Sequence, residues 1–134
     1  MTQARPTISL CLIARNEGRN LPRLFESVRE AIDEIVVVDT GSTDDTVAVA
    51  QSLGANVFHR EWKDDFAAAK NAALGRAHGD WILHLDADMA LKPDQPRNIR
   101  EAVSSGRSGA YFLVVNSPSG EGQVERVAHP WLFR

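Results

Sequence analysis

Apolar runs alternate with polar, glycine-bearing breaks along most of the chain. Thr7 to Ile13 is apolar at almost every position, a pattern that suits a strand buried on both faces. Asn16-Glu17-Gly18 breaks it. Leu21, Leu24, Phe25 and Val28 then recur at helical spacing, with Pro22 in the first turn where proline is tolerated. Asp33 to Asp39 contains Ile-Val-Val-Val, a β-branched strand signal. Gly41 to Asp45 predicts a turn and Thr46 to Leu53 a helix, with Gly54 placed as its left-handed C-terminal cap. Within that turn Gly41 permits an unusual backbone angle and Ser42 or Thr43 can cap the helix. Asp44 and Asp45 suit the helix's positive end. Asn56 to His59 predicts a third strand. Asp65 to His78 predicts an alanine-rich helix with its core face at Phe66, Ala69 and Ala73. Trp81 to Leu85 predicts a fourth strand and Asp94 to Ser104 a helix with Pro93 and Pro96 at its entrance. Tyr111 to Asn116 predicts another strand. Ser117 to Gly122 reads as a turn and Gln123 to Ala128 as a hairpin arm.

This alternation predicts an α/β fold, a mostly parallel sheet flanked by helices on both faces. In such sheets ligands sit beyond the carboxyl ends of the strands. Four polar clusters fall there: Arg15-Asn16-Glu17, Asp39-Thr40-Gly41-Ser42, the Trp62 to Lys70 stretch, and Asp86-Ala87-Asp88.

Composition narrows the reading. The 134 residues fit one domain, and 43% hydrophobic with 25% charged residues is ordinary for a globular protein. A net charge of −3 argues against a nucleic-acid-binding module, which needs a basic face. It leaves room for a nucleotide whose charge a metal ion offsets. Cys11 is the only cysteine, so no internal disulfide forms, and its apolar setting predicts a buried, inert thiol. Met1 to Pro6 lacks the apolar core of a signal peptide and no apolar run reaches membrane-spanning length, so the expectation is a cytoplasmic protein.

Asp86 and Asp88, two carboxylates at i and i+2 after a buried strand, can converge on one hard cation such as Mg2+ or Mn2+ and bridge it to a diphosphate. The same residues also make ordinary turns and caps. Asp39, at a strand end, can accept from a base N–H or a ribose hydroxyl, or simply close its own turn. Lys70, one helical turn after Phe66, can reach inward to a phosphate or stand as a solvated surface charge. His84, inside a strand, reads as a hydrogen-bonded core histidine. His59, His78 and His129 lack metal-ligand spacing. There is no Gly-x-Gly-x-x-Gly after the first strand, no Gly-Lys-Ser/Thr and no serine-centred nucleophile elbow.

Taken together, ISLCLIARNE (Ile8 to Glu17), DEIVVVDTGSTDDT (Asp33 to Thr46), WKDDFAAAKNAA (Trp62 to Ala73) and GDWILHLDAD (Gly79 to Asp88) resemble the family 2 glycosyltransferases. They are most similar to the bacterial branch of lipopolysaccharide-core glucosyltransferase-like and repeat-fused proteins. The resemblance implies a Rossmann-like GT-A fold, with residues 1–134 forming a single domain, the nucleotide-sugar-binding part, that stops short of the acceptor region. It implies that Ala14, Arg15, Asn16 and Glu17 line the nucleoside pocket and that Asp39 contacts the base, usually uracil. Lys70 then lies near the diphosphate, in a position where this branch commonly has arginine. Asp86 and Asp88 match the DxD motif, Asp88 as direct ligand of Mn2+ or Mg2+ and Asp86 at the ribose or the metal's second shell. Met89 departs from the acid often found after that motif. The implied reaction moves a sugar from a nucleoside diphosphate, UDP above all, to an acceptor hydroxyl with inversion. The acceptor is a glycan or a lipid-linked molecule, met in the cytoplasm or peripherally at the inner face of the membrane. The catalytic base is not among the matched residues.

Three other readings compete. The chain can be a non-catalytic nucleotide-sugar-binding fragment. It can be a nucleotidyltransferase, although Arg15-Asn16-Glu17-Gly18-Arg19 offers one glycine and an acid where those enzymes carry a glycine-rich basic loop. It can also self-associate through a sheet edge and apolar surface that includes Trp131 and Phe133.

Overall fold

The computed structural model describes residues 5–105 and the strand segments 110–111, 115–116, 124–125 and 132–133. Four strand–helix units come first: β1 (Ile8–Ala14) with α1 (Leu21–Val28), β2 (Glu34–Asp39) with α2 (Thr46–Ser52), β3 (Asn56–His59) with α3 (Phe66–Arg76), and β4 (Trp81–His84) with α4 (Gln95–Ser105). Short strands follow: β5 (Ala110–Tyr111), β6 (Val115–Asn116), β7 (Val124–Glu125) and β8 (Leu132–Phe133).

The main sheet runs β3-β2-β1-β4-β8-β5. Its β3, β2, β1 and β4 are mutually parallel, while β8 is antiparallel to both neighbours. Side chains alternate across a strand. Ile8, Leu10 and Leu12 therefore meet Leu21, Leu24, Phe25 and Val28 of α1, Ala50 of α2, and Ile99 and Val103 of α4 on one face. Cys11 turns to the other face, where Val36, Val38 and Ala73 of α3 close a second layer. Both faces being covered explains why these strands read as unbroken apolar runs. Each fully buried Leu, Ile or Val contributes about 1.5–3 kcal/mol relative to exposure.

The amino ends of the strands are locked by polar bonds. Asp33 accepts from the Ile8 amide at 2.9 Å, from both terminal nitrogens of Arg100 at 3.1 and 3.2 Å, and from Arg5 at 3.0 Å. Partial burial raises its carboxyl pKa, but these donors outweigh it and hold the group below the usual carboxylate range. Glu34 behaves likewise: burial raises it, while the His78 amide and ring and the Ser9 hydroxyl bring it down overall.

Several expectations need correction. Neither Ser42 nor Thr43 caps α2. Asp44 accepts from the Thr46 amide at 2.9 Å and from its hydroxyl, while Ser42 and Thr43 bond elsewhere. Gly41 and Gly54 do take positive φ, 116° and 93°. Phe66 is not a core residue: it is 58% exposed, whereas Ala69 and Ala73 are buried. The stretch 111–116 is not one strand, because Tyr111 pairs within the main sheet and Val115–Asn116 forms a separate antiparallel pair with Val124–Glu125. Phe133 lies on an inner strand between β4 and β5 rather than on a sheet edge; Trp131, named with it, lies outside the described residues. No helix among the described residues is long and apolar enough to cross a membrane.

Candidate functional site

The β1–β2 register sets Ala14 opposite Asp39, so the loops leaving both strands emerge side by side. Strand β4 adds its own loop next to β1. Between these loops lies a cleft of about 500 Å3 lined by Ile13, Arg15, Glu17, Thr40, Trp62, Phe66, Asp86, Ala87 and Asp88. A hollow of about 700 Å3 beside α1 and α4 is larger, but it is walled by Arg23, Glu26, Ser27, Arg29 and Glu30 on one side and Leu91, Pro93 and Pro96 on the other, and takes nothing from the strand ends. The cleft at the strand ends is where an open α/β sheet places its ligand.

Asn16 builds the first wall. Its backbone is left-handed, with φ 55°, a conformation asparagine tolerates better than most residues. Its amide donates to the Ser42 hydroxyl at 2.9 Å, and its side-chain carbonyl accepts from the Thr43 and Asp44 amides at 2.8 and 3.3 Å. Asn16 thus ties the β1 loop to the β2 loop and does not itself line the cleft. Its neighbours Arg15 and Glu17 do line it. The Glu17 amide is held by the Thr46 hydroxyl at 3.0 Å, and its carboxylate accepts from Asn20 at 2.6 Å.

Asp39 is buried at the end of β2. Its carboxylate accepts from the Gly41 and Ser42 amides, both at 3.2 Å, and from the Ser42 hydroxyl at 2.5 Å. The positive φ of Gly41 lets the loop fold back to make these bonds. His59 stands 3.5 Å from the same carboxylate at the surface. Asp39 therefore organises the turn that supports Thr40 and lies behind the cleft lining.

On the far side, Asp86-Ala87-Asp88 forms a turn closed by the Met89 amide donating to the Asp86 carbonyl at 3.0 Å. Arg23 of α1 pins it by donating to the Asp88 carbonyl at 2.7 Å. Met89 is buried in the main core, so the side chain following the two acids serves packing. Lys70 is half-buried on α3, outside the cleft lining, and forms no ion pair among the described residues. His84 is a core residue whose ring nitrogen lies 3.1 Å from the Cys11 carbonyl. Burial, and secondarily the charge of Glu34, push the Cys11 thiol up to about 12, which leaves it inert at neutral pH.

Of the sequence-derived candidates, Arg15, Glu17, Asp86 and Asp88 come together in one cleft. Ala14 and Asp39 sit paired behind it, Asn16 clamps its loops, and Lys70 stands apart. The Trp62 to Lys70 stretch was among the strand-end clusters, but its aromatic members Trp62 and Phe66 were not singled out as lining residues, and Phe66 was assigned to the core. For a divalent cation the donor set is two carboxylates, and no group of three metal-ligating side chains assembles among the described residues. Two hard oxygen ligands suit Mg2+ or Mn2+, which complete their shells with phosphate and water oxygens, so the residues fit such an ion in the company of a diphosphate.

Residues 9–134 match the family model described as Glycosyl transferase family 2. The chain belongs to this family. Among curated proteins it is 42% identical over 131 residues to a TPR repeat-containing protein of Synechococcus elongatus, covering 98% of this chain and 32% of that one. It is 38% identical over 105 residues to an uncharacterized glycosyltransferase of Rickettsia felis, covering 78% of this chain and 37% of the relative. The chain thus spans about a third of the length of the curated relatives it matches. Among solved structures, glucosyl-3-phosphoglycerate synthase of Mycobacterium tuberculosis, in complex with Mn2+, UDP and glucosyl-3-phosphoglycerate, superposes with a TM-score of 0.62. It is 27% identical, with 80% of this chain and 42% of that chain covered. A mannosyltransferase of Pyrobaculum calidifontis in complex with GDP-Man and Mn2+ shares the fold at a TM-score of 0.66 and 21% identity, covering 81% and 35%. The fold is that of the GT-A glycosyltransferases.

Proposed function

We propose that residues 1–134 form a single domain that binds a nucleoside-diphosphate sugar, UDP-linked, together with Mn2+ or Mg2+. In the whole protein this domain would serve transfer of that sugar, with inversion, to a hydroxyl of a glycan or lipid-linked acceptor. The observation that carries this reading is the convergence of Arg15, Glu17, Asp86 and Asp88 on one cleft at the carboxyl ends of β1, β2 and β4. The glucosyl-3-phosphoglycerate synthase that this chain resembles was solved with Mn2+ and UDP, which favours the same ligand class here.

Each residue then has a physical role. Ala14 to Glu17 form the nucleoside wall, with Arg15 supplying a cationic donor and Asn16 holding the wall in place. A carboxylate offers about four lone-pair sites. The Gly41–Ser42 turn occupies three of those on Asp39, leaving one to accept from a base N–H. Lys70 reaches from α3 toward the diphosphate. Asp88 ligates the cation directly, and Asp86 holds the ribose or an ion-bound water. The cation, when bound, would neutralise charge that develops on the departing diphosphate. A single displacement also needs a base within hydrogen-bond reach of the acceptor hydroxyl, a role assigned to none of these residues. The setting is the cytoplasm, with peripheral attachment at the inner face of the membrane as the alternative. Calorimetric titration of UDP in the presence and absence of Mn2+ tests the reading: heat of binding that requires the metal supports it, and no binding under either condition overturns it.

A further inference from the structure

We propose that the base of the bound nucleotide stacks on the open face of Phe66, with Trp62 standing edge to face beside it as the buttress that holds that ring; this rests on the nucleotide-sugar reading above. Phe66 is 58% exposed, and among the described residues only Leu53 is another large apolar side chain left so open. Leu53 is a helix end remote from the strand-end loops, whereas Phe66 lies on the cleft wall. Its exposure gives nothing to the fold, because the core face of α3 is made by Ala69 and Ala73.

The local chain holds the pair in place. Trp62 and Phe66 meet edge to face, with ring centroids 6.0 Å apart and planes at 83°. The Trp62 indole N–H donates to Asp64 at 3.0 Å. Asp64 itself adopts a left-handed backbone, φ 54°, so the loop accepts an unfavourable conformation to present that acceptor. Asp65 then caps α3 by accepting from the Ala68 amide at 3.0 Å, which fixes the helix start at Phe66. Two consecutive acids thus orient one ring and set the position of the other.

Thr40 and Ile13, from the ends of β2 and β1, line the same cleft, while the paired carboxylates come from the β4 side. A base lying on the β1–β2 side would place its diphosphate toward Asp86 and Asp88. A nucleobase is the flat, π-faced part of such a ligand, and aromatic walls bind bases through stacking with little dependence on base identity. The hydrogen-bonding of Asp39 would then supply the preference for uracil, with the aromatic pair supplying affinity.

The test compares UDP, UDP-glucose and inorganic pyrophosphate, each with Mn2+, on the wild-type chain and on Phe66→Ala, Phe66→Tyr and Trp62→Ala. Phe66→Ala and Trp62→Ala are expected to weaken UDP on the order of tenfold and to leave pyrophosphate within about twofold. Phe66→Tyr is expected to keep UDP affinity. An unchanged melting transition of Phe66→Ala is expected from its exposure and separates loss of stacking from loss of fold. Equal loss of UDP and pyrophosphate, or loss for UDP-glucose with UDP unaffected, would overturn the base assignment while keeping the nucleotide-sugar reading. Failure of the wild-type chain to bind any of the three would overturn both.

Discussion

Asn16 offers the sharpest physical prediction, because two separable effects meet at one residue. Its side-chain carbonyl accepts from two amides of the neighbouring loop, and its backbone sits at φ 55°. The residue is exposed, so water partly replaces the lost bonds, and each is worth about 0.5–1.5 kcal/mol net. Asn16→Gly removes the bonds but tolerates the backbone angle, and should cost about 1–2 kcal/mol. Asn16→Ala removes the same bonds and adds a left-handed penalty of about 1–2 kcal/mol, partly offset by the roughly 0.5–1 kcal/mol that glycine loses through its freer unfolded chain, so it should be less stable than the glycine variant by about 1 kcal/mol. Asn16→Asp keeps an acceptor and a tolerant backbone and should remain within about 1 kcal/mol of wild type. Urea unfolding monitored by circular dichroism, with an unchanged m-value, reads these differences directly. Equal stability of the alanine and glycine variants would refute the left-handed assignment. Wild-type stability of both would refute the clamp between the two loops.

Two further expectations follow from the opposite end of the sheet. Gly79→Ala should destabilise the fold by about 1–3 kcal/mol. Its Cβ would lie 2.7 Å from the Ser9 amide nitrogen and 3.0 Å from the Trp81 carbonyl, backbone atoms that cannot rotate away, and a wild-type urea midpoint would contradict that. Asp33 and Glu34 both have carboxyls held below their ordinary range by hydrogen bonds. Their stabilisation is therefore complete above the unfolded carboxylate pKa of about 4 and is lost as pH falls through the lower folded values. The Asp33→Asn, Glu34→Gln double variant should be less stable at neutral pH and show a shallower acid dependence, and an acid slope equal to wild type would be inconsistent with it.

β1 and β2 were legible because a parallel sheet covered on both faces leaves apolar runs, as in Ile8–Ala14 and in Val36, Val37 and Val38, whereas β3 is a short edge strand with no buried position. Gly41 and Gly54 were legible because their turns require positive φ. Phe66 was misread for a physical reason: its spacing to Ala69 and Ala73 matches one helical face, but as the first residue of α3 it stands at the cleft, beyond the sheet. The capping of α2 was misassigned because Ser42, Thr43 and Asp44 all carry suitable oxygens, and Asp39 and Asn16 compete for the first two. The insertion of Leu132–Phe133 between β4 and β5 is a long-range pairing with no local signature. That Arg15, Glu17, Asp86 and Asp88 share one cleft was legible because each closely follows the end of a strand in a parallel sheet. Asn16 was legible as important but not as a clamp, since its role depends on a loop 26 residues away in sequence.

The role given to Asp86 and Asp88 stands or falls on one calorimetric titration, UDP into the wild-type chain and into Asp88→Asn, each with and without Mn2+. The expected result is saturable binding to wild type that requires the metal, and a loss on the order of tenfold or more in the variant, since hydrogen bonds and ligation to charged groups contribute about 1.5–3 kcal/mol. Binding of equal strength in the variant, or binding indifferent to Mn2+, would contradict it and remove the metal from this cleft.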